Sequence, residues 1–147
     1  MLQVTGLLDS SIGGEPALLS NTDNNRRTLY ATIKRRELDE VLKMFGFPEP
    51  TAHSPKRDEM NTPLQQLYSL NSEFIWRCAE HLASSYTAKQ TEELKLIVSE
   101  IYRKVYSREA TPQEFDVAID YLEKTGSDGL RRYIHALLIS NEFAFLD

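Results

Sequence analysis

The sequence predicts an all-α fold: a helical bundle of about four to five helices with an irregular N-terminal arm, a long proline-rich loop and at most one short strand. Apolar residues recur at spacings of three and four along most of the second half of the chain, which is typical of amphipathic helices. Three of these stretches open with a threonine followed three residues later by Gln or Glu, a common helix-start signal. The 147 residues, 41% of them hydrophobic, suit a single domain over 1–147.

The overall charge and the single cysteine exclude several functional classes. The net charge is -5, so the chain lacks the excess of positive charge that non-specific nucleic-acid binding requires. Apolar runs are too short to span a bilayer, and residues 1–8 carry no basic leader, so we expect neither membrane insertion by this chain nor a signal peptide within it. Cys78 alone forms no internal disulfide, zinc cage or haem-attachment motif, so we expect no metal and no cofactor in this chain.

Residues 1–25 are predicted to form the irregular arm. They contain Gly13, Gly14, Pro16 and a polar run over 20–25, all of which favour turns, and they show no helical or strand period. The arm opens on an apolar stretch that resembles the end of another element. We therefore expect the chain to be a fragment of a larger multidomain protein.

The region between the arm and the main helices offers one strand, one helix and one loop. Residues 28–33 are rich in β-branched and aromatic side chains and predict a short strand without an evident partner. Apolar residues at helical spacing predict a helix over 37–45 that stops at Gly46. Residues 46–61 contain three prolines and no period, which predicts a long loop.

Capping boxes mark the starts of three helices, at Thr62, Thr87 and Thr111. In the first and third box, proline occupies the first helical position, where no amide hydrogen is needed. The apolar stripes that follow must be buried, which makes an all-α bundle. The stripes are Leu64, Leu67, Tyr68, Phe74, Ile75, Cys78, Ala79 and Leu82 in one helix; Leu94, Ile97, Val98, Ile101, Tyr102, Val105 and Tyr106; Phe115, Ala118, Ile119 and Leu122; and Leu130, Tyr133, Ile134, Leu137 and Leu138.

No catalytic constellation is recognisable in the sequence. The phosphate-binding, dinucleotide-binding, nucleophile-elbow and zinc-protease motifs are all missing. Cys78 and His81 lie three residues apart on one helix, which would place a thiol beside an imidazole. We prefer the simpler interpretation that Cys78 is a small buried hydrophobic residue over a metal-binding or nucleophilic role.

A short phrase occurs twice, at 70–74 and 139–143: an apolar residue, two small polar residues, then Glu-Phe. Five residues are too few to establish a repeat. Asn71 and Asn141 interrupt apolar stripes, and we prefer that they or the adjacent serines cap a bend over a ligand-binding role. Basic residues concentrate in the first half of the chain, where a phosphate or sulfate site is one interpretation. The candidate interaction or ligand-binding residues are Arg26, Arg27, His53, Lys56, Arg57, Asn71 and Glu73.

Seven short phrases follow one another along nearly the whole chain: Gly6-Leu7-Leu8-Asp9 with Ile12-Gly13-Gly14, Arg26-Arg27-Thr28-Leu29-Tyr30, Ser54-Pro55-Lys56-Arg57, Thr62-Pro63-Leu64-Gln65-Gln66-Leu67, Leu70-Asn71-Ser72-Glu73-Phe74, Arg108-Glu109-Ala110-Thr111-Pro112-Gln113-Glu114 and Ser140-Asn141-Glu142-Phe143-Ala144-Phe145-Leu146-Asp147. Their order and spacing resemble the C-terminal part of the planctomycete cytochrome-associated domain family, domain of unknown function 1553.

The resemblance implies a context rather than a mechanism. It implies a fragment of a large exported bacterial protein, located in the periplasm or cell envelope, with c-type haem in other domains. The implied partners are the remainder of the polypeptide or other envelope proteins, with polysaccharide as a further candidate. The family often has a cysteine before Pro-Arg-Arg, whereas this chain has Ser54 before Pro55, Lys56 and Arg57, so thiol chemistry does not carry over.

Two hypotheses follow for the function. The first is a non-catalytic helical interaction or scaffolding module of that larger protein. The alternative is part of an enzyme or glycan-binding site that the N-terminal region completes. Under both hypotheses we expect residues 46–61 to be the surface that meets the partner, the alternative for this loop being a mobile connector.

Overall fold

The computed structural model describes residues 1–51, 53, 62–86 and 91–144. This part of the chain is mostly helical with almost no strand, which confirms the all-α prediction. Its helices are α1 (Leu2–Thr5), α2 (Glu40–Met44), α3 (Pro63–Asn71), α4 (Glu73–Ser84), α5 (Thr91–Tyr106), α6 (Pro112–Thr125), α7 (Gly129–Leu138) and α8 (Asn141–Ala144), with single 3-10 turns at Thr28–Tyr30 and Gly126–Asp128.

The chain divides into two compact units. One, here called the helical unit, consists of Met1–Leu7 and Ile75–Asp147; the other, here called the inserted unit, is Leu8–Phe74. The expectation of a single domain over 1–147 stays a prediction. The two units are described separately below.

The helical unit holds nearly all of the buried apolar side chains of the described residues. Helices α5, α6 and α7 pack on one another, and α8 packs on α5 and α7. The predicted stripes of α5, α6 and α7 supply this core, together with the α4 residues Ile75, Cys78, Ala79 and Leu82. Its largest fully buried side chains are Ile101, Ile134, Leu138, Val98 and Cys78.

The capping boxes at Thr62 and Thr111 are confirmed. The Thr111 hydroxyl accepts from the Glu114 amide at 3.3 Å, and the Glu114 carboxylate accepts from the Thr111 amide at 2.7 Å. The Thr62 box has the same reciprocal bonds with Gln65. The third box, at 87–90, lies outside the described residues.

The predicted strand over 28–33 is wrong. Residues Thr28–Tyr30 form a 3-10 turn in which the Tyr30 amide donates to the Arg27 carbonyl at 2.9 Å and the Ala31 amide to the Thr28 carbonyl at 2.9 Å. These two amides therefore bond within the turn and not to a neighbouring strand. In the described part of the inserted unit, the only β-type pairings are isolated bridges, Asp9 with Arg26 and Ala17 with Ala31. The arm is also not irregular throughout, because it begins with α1.

The helix predicted over 37–45 is shorter than expected. It starts at Glu40 because the Asp39 carboxylate caps it by accepting from the Val41 amide at 2.9 Å. It ends before Gly46, as predicted, where a φ of 65° turns the chain and the Phe47 amide donates to the Leu42 carbonyl at 2.9 Å.

The single helix predicted to carry the stripe from Leu64 to Leu82 is two helices. Ser72 has extended backbone angles, φ -66° and ψ 117°, and separates α3 from α4. The predicted burial also fails on α3, because Leu64 is 59% exposed and Leu67 is 56% exposed. The buried residue of α3 is Gln65, whose Nε2 donates to the Met44 carbonyl at 2.8 Å.

Candidate functional site

The candidate residues Arg26 and Arg27 form hydrogen bonds within the inserted unit, Arg26 through its side chain and Arg27 through its backbone carbonyl. The Arg26 guanidinium donates to the carbonyls of Gly13 and Glu15, the latter at 2.9 Å, and lies 4.3 Å from the centre of the Tyr30 ring. Arg27 precedes the 3-10 turn, and its carbonyl accepts from the Tyr30 amide. Arg26 therefore fixes the fold of the arm.

The other candidates are not brought into one site by the described contacts. The Asn71 side-chain amide donates to the Leu67 carbonyl at 2.8 Å, one turn back in α3, in agreement with a role at the bend. Glu73 is exposed in the first turn of α4, and His53 is exposed. Lys56 and Arg57 lie outside the described residues, as does most of the loop predicted over 46–61.

Cys78 and His81 have different environments within α4. Cys78 is fully buried, and burial raises the pKa of its thiol, which disfavours the reactive thiolate. His81 is exposed, and its Nδ1 lies 2.8 Å from the Thr5 carbonyl oxygen. A small buried hydrophobic role for Cys78 agrees with this placement.

One polar cluster of the helical unit was not found by sequence reasoning. It centres on Arg108, which follows the end of α5 and binds two carboxylates at once, those of Glu114 and Glu142. Nη1 and Nη2 donate to the Glu114 oxygens at 2.9 and 2.8 Å, and Nε and Nη2 donate to the Glu142 oxygens at 2.6 and 2.9 Å. Nη1 also donates to the Glu109 carbonyl at 2.9 Å.

The Arg108 cluster is a structural clamp. A guanidinium has five N–H donors, and these five bonds use all of them, so none is left for an anionic ligand. Arg108 holds the pKa of Glu114 at about 2 and lowers that of Glu142, so both carboxylates stay ionised at neutral pH. The only sequence signal for this cluster was that Arg108 and Glu142 each lie in one of the seven short phrases described above.

Tyrosines support this clamp from the core side. The guanidinium lies 5.4 Å from the ring centre of Tyr102 and 5.3 Å from that of Tyr106. The Tyr106 hydroxyl lies 2.9 Å from the Ser140 hydroxyl, and the Ser140 oxygen accepts from the Phe143 amide at 3.2 Å at the start of α8. Burial raises the pKa of Tyr106, so its hydroxyl remains protonated at neutral pH.

A cavity of about 460 Å³ lies in the helical unit, between the end of α1 and helices α4 and α5. Its polar lining includes His81, Ser85 and Lys104, and its apolar lining includes Val4 and Leu82. The remaining lining residues are Gln3, Thr5 and Gly6. The volume is within the range of small-molecule sites.

The described residues contain neither a cluster of metal ligands nor a membrane-spanning helix. No group of three or more His, Cys, Asp or Glu side chains is placed there to hold a metal ion. Across the same residues, every helix is too short or too polar to span a bilayer.

Comparison with known proteins identifies a family. The family model of PSD1, described as a protein of unknown function (DUF1553), matches residues 1–122, which include the inserted unit, α4, α5 and most of α6. This match confirms the predicted membership of the DUF1553 family, and it covers six of the seven phrases; the phrase at 140–147 lies beyond the matched residues. No curated protein and no solved structure matches the chain significantly.

Proposed function

Because the chain belongs to the DUF1553 family, whose function is unknown, we propose from its surface that it is a non-catalytic helical interaction module. In this proposal it works within a large exported bacterial protein that carries c-type haem in other domains. The partner that we propose is the remainder of that polypeptide.

The observation that carries the proposal is the orientation of α3. Its leucines Leu64 and Leu67, here called the leucine face, point to solvent, whereas its buried residue is the polar Gln65. The sequence of α3, Pro63–Asn71, contains no charged residue. A helix that turns apolar side chains outward and carries no charge is suited to contact with another apolar surface.

Exposed apolar side chains also outnumber buried ones over the described residues of the inserted unit. Among the described residues, nine of the eleven exposed large hydrophobic side chains belong to Leu8–Phe74, while only Ala31 and Leu42 of the sixteen buried ones do. Permanent interfaces are more apolar than transient ones. This is why a permanently attached segment of the same polypeptide suits the surface better than a transient partner.

The alternative, part of an enzyme or glycan-binding site, has less support. Arg26, one of its candidate residues, uses its guanidinium on the nearby backbone carbonyls of Gly13 and Glu15. Two further basic candidates, Lys56 and Arg57, lie outside the described residues. Polysaccharide binding therefore stays a prediction from the resemblance.

The test separates this chain from the rest of the polypeptide and measures their association. Both parts would be expressed as separate chains, and the dissociation constant would be measured by calorimetry. We expect the double substitution Leu64→Gln and Leu67→Gln to weaken binding by about a hundredfold, because buried anchors contribute most of the interface energy.

The matched control is the pair Leu96→Gln and Val117→Gln, two exposed apolar residues of α5 and α6. It makes the same number and kind of changes in the helical unit, and we expect it to leave the dissociation constant unchanged. Equal loss in both double variants, or no association between the two parts, would contradict the proposal. Self-association that the leucine-face variant abolishes would assign the face to a second copy instead.

A further inference from the structure

The cavity of the helical unit has a basic lining over the part of the chain that the structure describes. Among these described lining residues the ionisable side chains are His81 and Lys104, and none is a carboxylate. The chain as a whole carries a net charge of -5, so this cavity differs in sign from the average surface. A positive lining attracts anions by Coulomb interaction.

The His81 ring is held in a fixed orientation. Its Nδ1 lies 2.8 Å from the Thr5 oxygen, and because a carbonyl only accepts, Nδ1 carries the hydrogen. Thr5 is buried at the end of α1, and Gly6, with a φ of 79°, turns the chain directly after it. The imidazole is therefore positioned by the backbone before any ligand arrives.

Lys104 brings a cation to the same lining from α5. Its Nζ donates to the Tyr86 hydroxyl at 2.9 Å and lies 5.0 Å from the centre of the Tyr86 ring. An ammonium has three donors, and the bond to Tyr86 uses one of them. The contact with Tyr86 restricts the long lysine side chain, so less conformational entropy is lost when a ligand binds.

We propose that this cavity binds a small organic anion through its phosphate or carboxylate group. The anionic group pairs with Lys104 and lies near the Ser85 hydroxyl, and the carbon skeleton packs on Val4 and Leu82, which form the apolar wall. A few polar groups beside apolar walls are the usual arrangement of a small-molecule site. The cavity belongs to the helical unit, so this inference is independent of the leucine face.

The binding test is a titration of the isotope-labelled chain with inorganic phosphate and, separately, with acetate at constant ionic strength. Amide resonances of Gly6 and Ser85, both in the lining, report on the cavity. We expect at least one of the two anions to shift them saturably, whereas chloride does not. Saturation by phosphate identifies a phosphate ligand, and saturation by acetate alone identifies a carboxylate ligand.

Substitutions at Lys104 test whether its charge is responsible. We expect Lys104→Met to weaken binding of the saturating anion by about fivefold, as for a partly exposed charge-assisted contact, and Lys104→Arg to retain it. The matched control is Lys124→Met, which removes an exposed lysine of α6 outside the cavity lining. Thermal melting confirms that each variant is folded.

The proposal fails if neither anion saturates the shifts of Gly6 and Ser85. It also fails if Lys104→Met binds as tightly as the unsubstituted chain, or if Lys124→Met weakens binding equally. In the last case the effect would come from overall charge rather than from this cavity.

Discussion

At the scale of single residues, Arg108 explains how distant segments of the helical unit are joined. It binds Glu114, which also closes the capping box of α6, and Glu142 in the first turn of α8. One cation thus connects the α5–α6 turn, the start of α6 and α8. Because the side chain is partly exposed, its contribution to stability is moderate, but its forked geometry fixes the positions of all three segments.

The clamp makes stability depend on pH in a defined direction. Glu114 has a pKa of about 2 in the folded chain, below the value of about 4.3 of an unfolded glutamate, so the unfolded state binds more protons between these values. We expect Glu114→Gln to lower the free energy of unfolding at pH 7 by about 1 kcal/mol, after allowance for solvent screening. This difference should shrink as the pH falls from about 4.3 to about 2.

Urea denaturation of both proteins at a series of pH values measures this difference. Glu100→Gln, at an exposed position of α5, is the control and should change stability little at any pH. A loss for Glu114→Gln that is the same at pH 2 and pH 7 would show that its contribution is not electrostatic.

The sequence could not have predicted the clamp from local pattern. Arg108 and Glu142 are 34 residues apart, and their contact depends on how α5, α7 and α8 pack. Arg26 and Asn71 are candidates because Arg26 is charged and Asn71 interrupts an apolar stripe. Charge or position in a stripe does not show whether a side chain binds a ligand or a nearby backbone group. In this structure the side chains of Arg26 and Asn71 both donate to nearby backbone carbonyls.

At the scale of elements, helix starts were predictable and helix interruptions were not. A capping box depends on residues three apart, so the boxes at Thr62 and Thr111 could be read directly from the sequence. The break at Ser72 and the turn at Thr28–Tyr30 depend on a choice among competing hydrogen bonds. The spacing of apolar residues carries no information about that choice. It also predicted that Leu64 and Leu67 are buried, whereas both are exposed.

The capping box of α6 provides a test at this scale. We expect Thr111→Ala to lower the free energy of unfolding by about 1 kcal/mol, because the Glu114 amide loses its acceptor. Thr111→Ser keeps a hydroxyl in the same place and should cost only a few tenths of a kcal/mol. Urea denaturation measures both, and equal losses for alanine and serine would contradict the capping role.

At the scale of the whole molecule, the buried apolar side chains are unevenly divided between the two units. The described residues of the helical unit contain fourteen of the sixteen buried apolar side chains, and those of the inserted unit contain two. Free energy from apolar burial therefore comes mainly from the helical unit. The sequence predicted this core on α5, α6 and α7 because those stripes are long and regular, but no local pattern showed that residues 8–74 would form a separate unit.

This distribution predicts a sharp contrast between two truncations. We expect Ile101→Ala, in the centre of the core, to lower the free energy of unfolding by about 3 kcal/mol. Leu67→Ala, on the leucine face, should change it by less than about 0.5 kcal/mol. Chemical denaturation followed by far-ultraviolet circular dichroism compares them, and a large loss for Leu67→Ala would show that α3 packs more closely than its exposure indicates.

The contact between Thr5 and His81 also sets an order of events during synthesis. These residues are 76 positions apart, so α1 leaves the ribosome long before its partner helix exists. At a usual rate of about 5–20 residues per second, the delay is roughly 4 to 15 s. Helices α5, α6 and α7 follow His81 in the sequence and are joined by short turns, so their packing costs little loop entropy. The contact between α1 and α4 instead closes a loop of 76 residues, and it can form only once His81 has been synthesised.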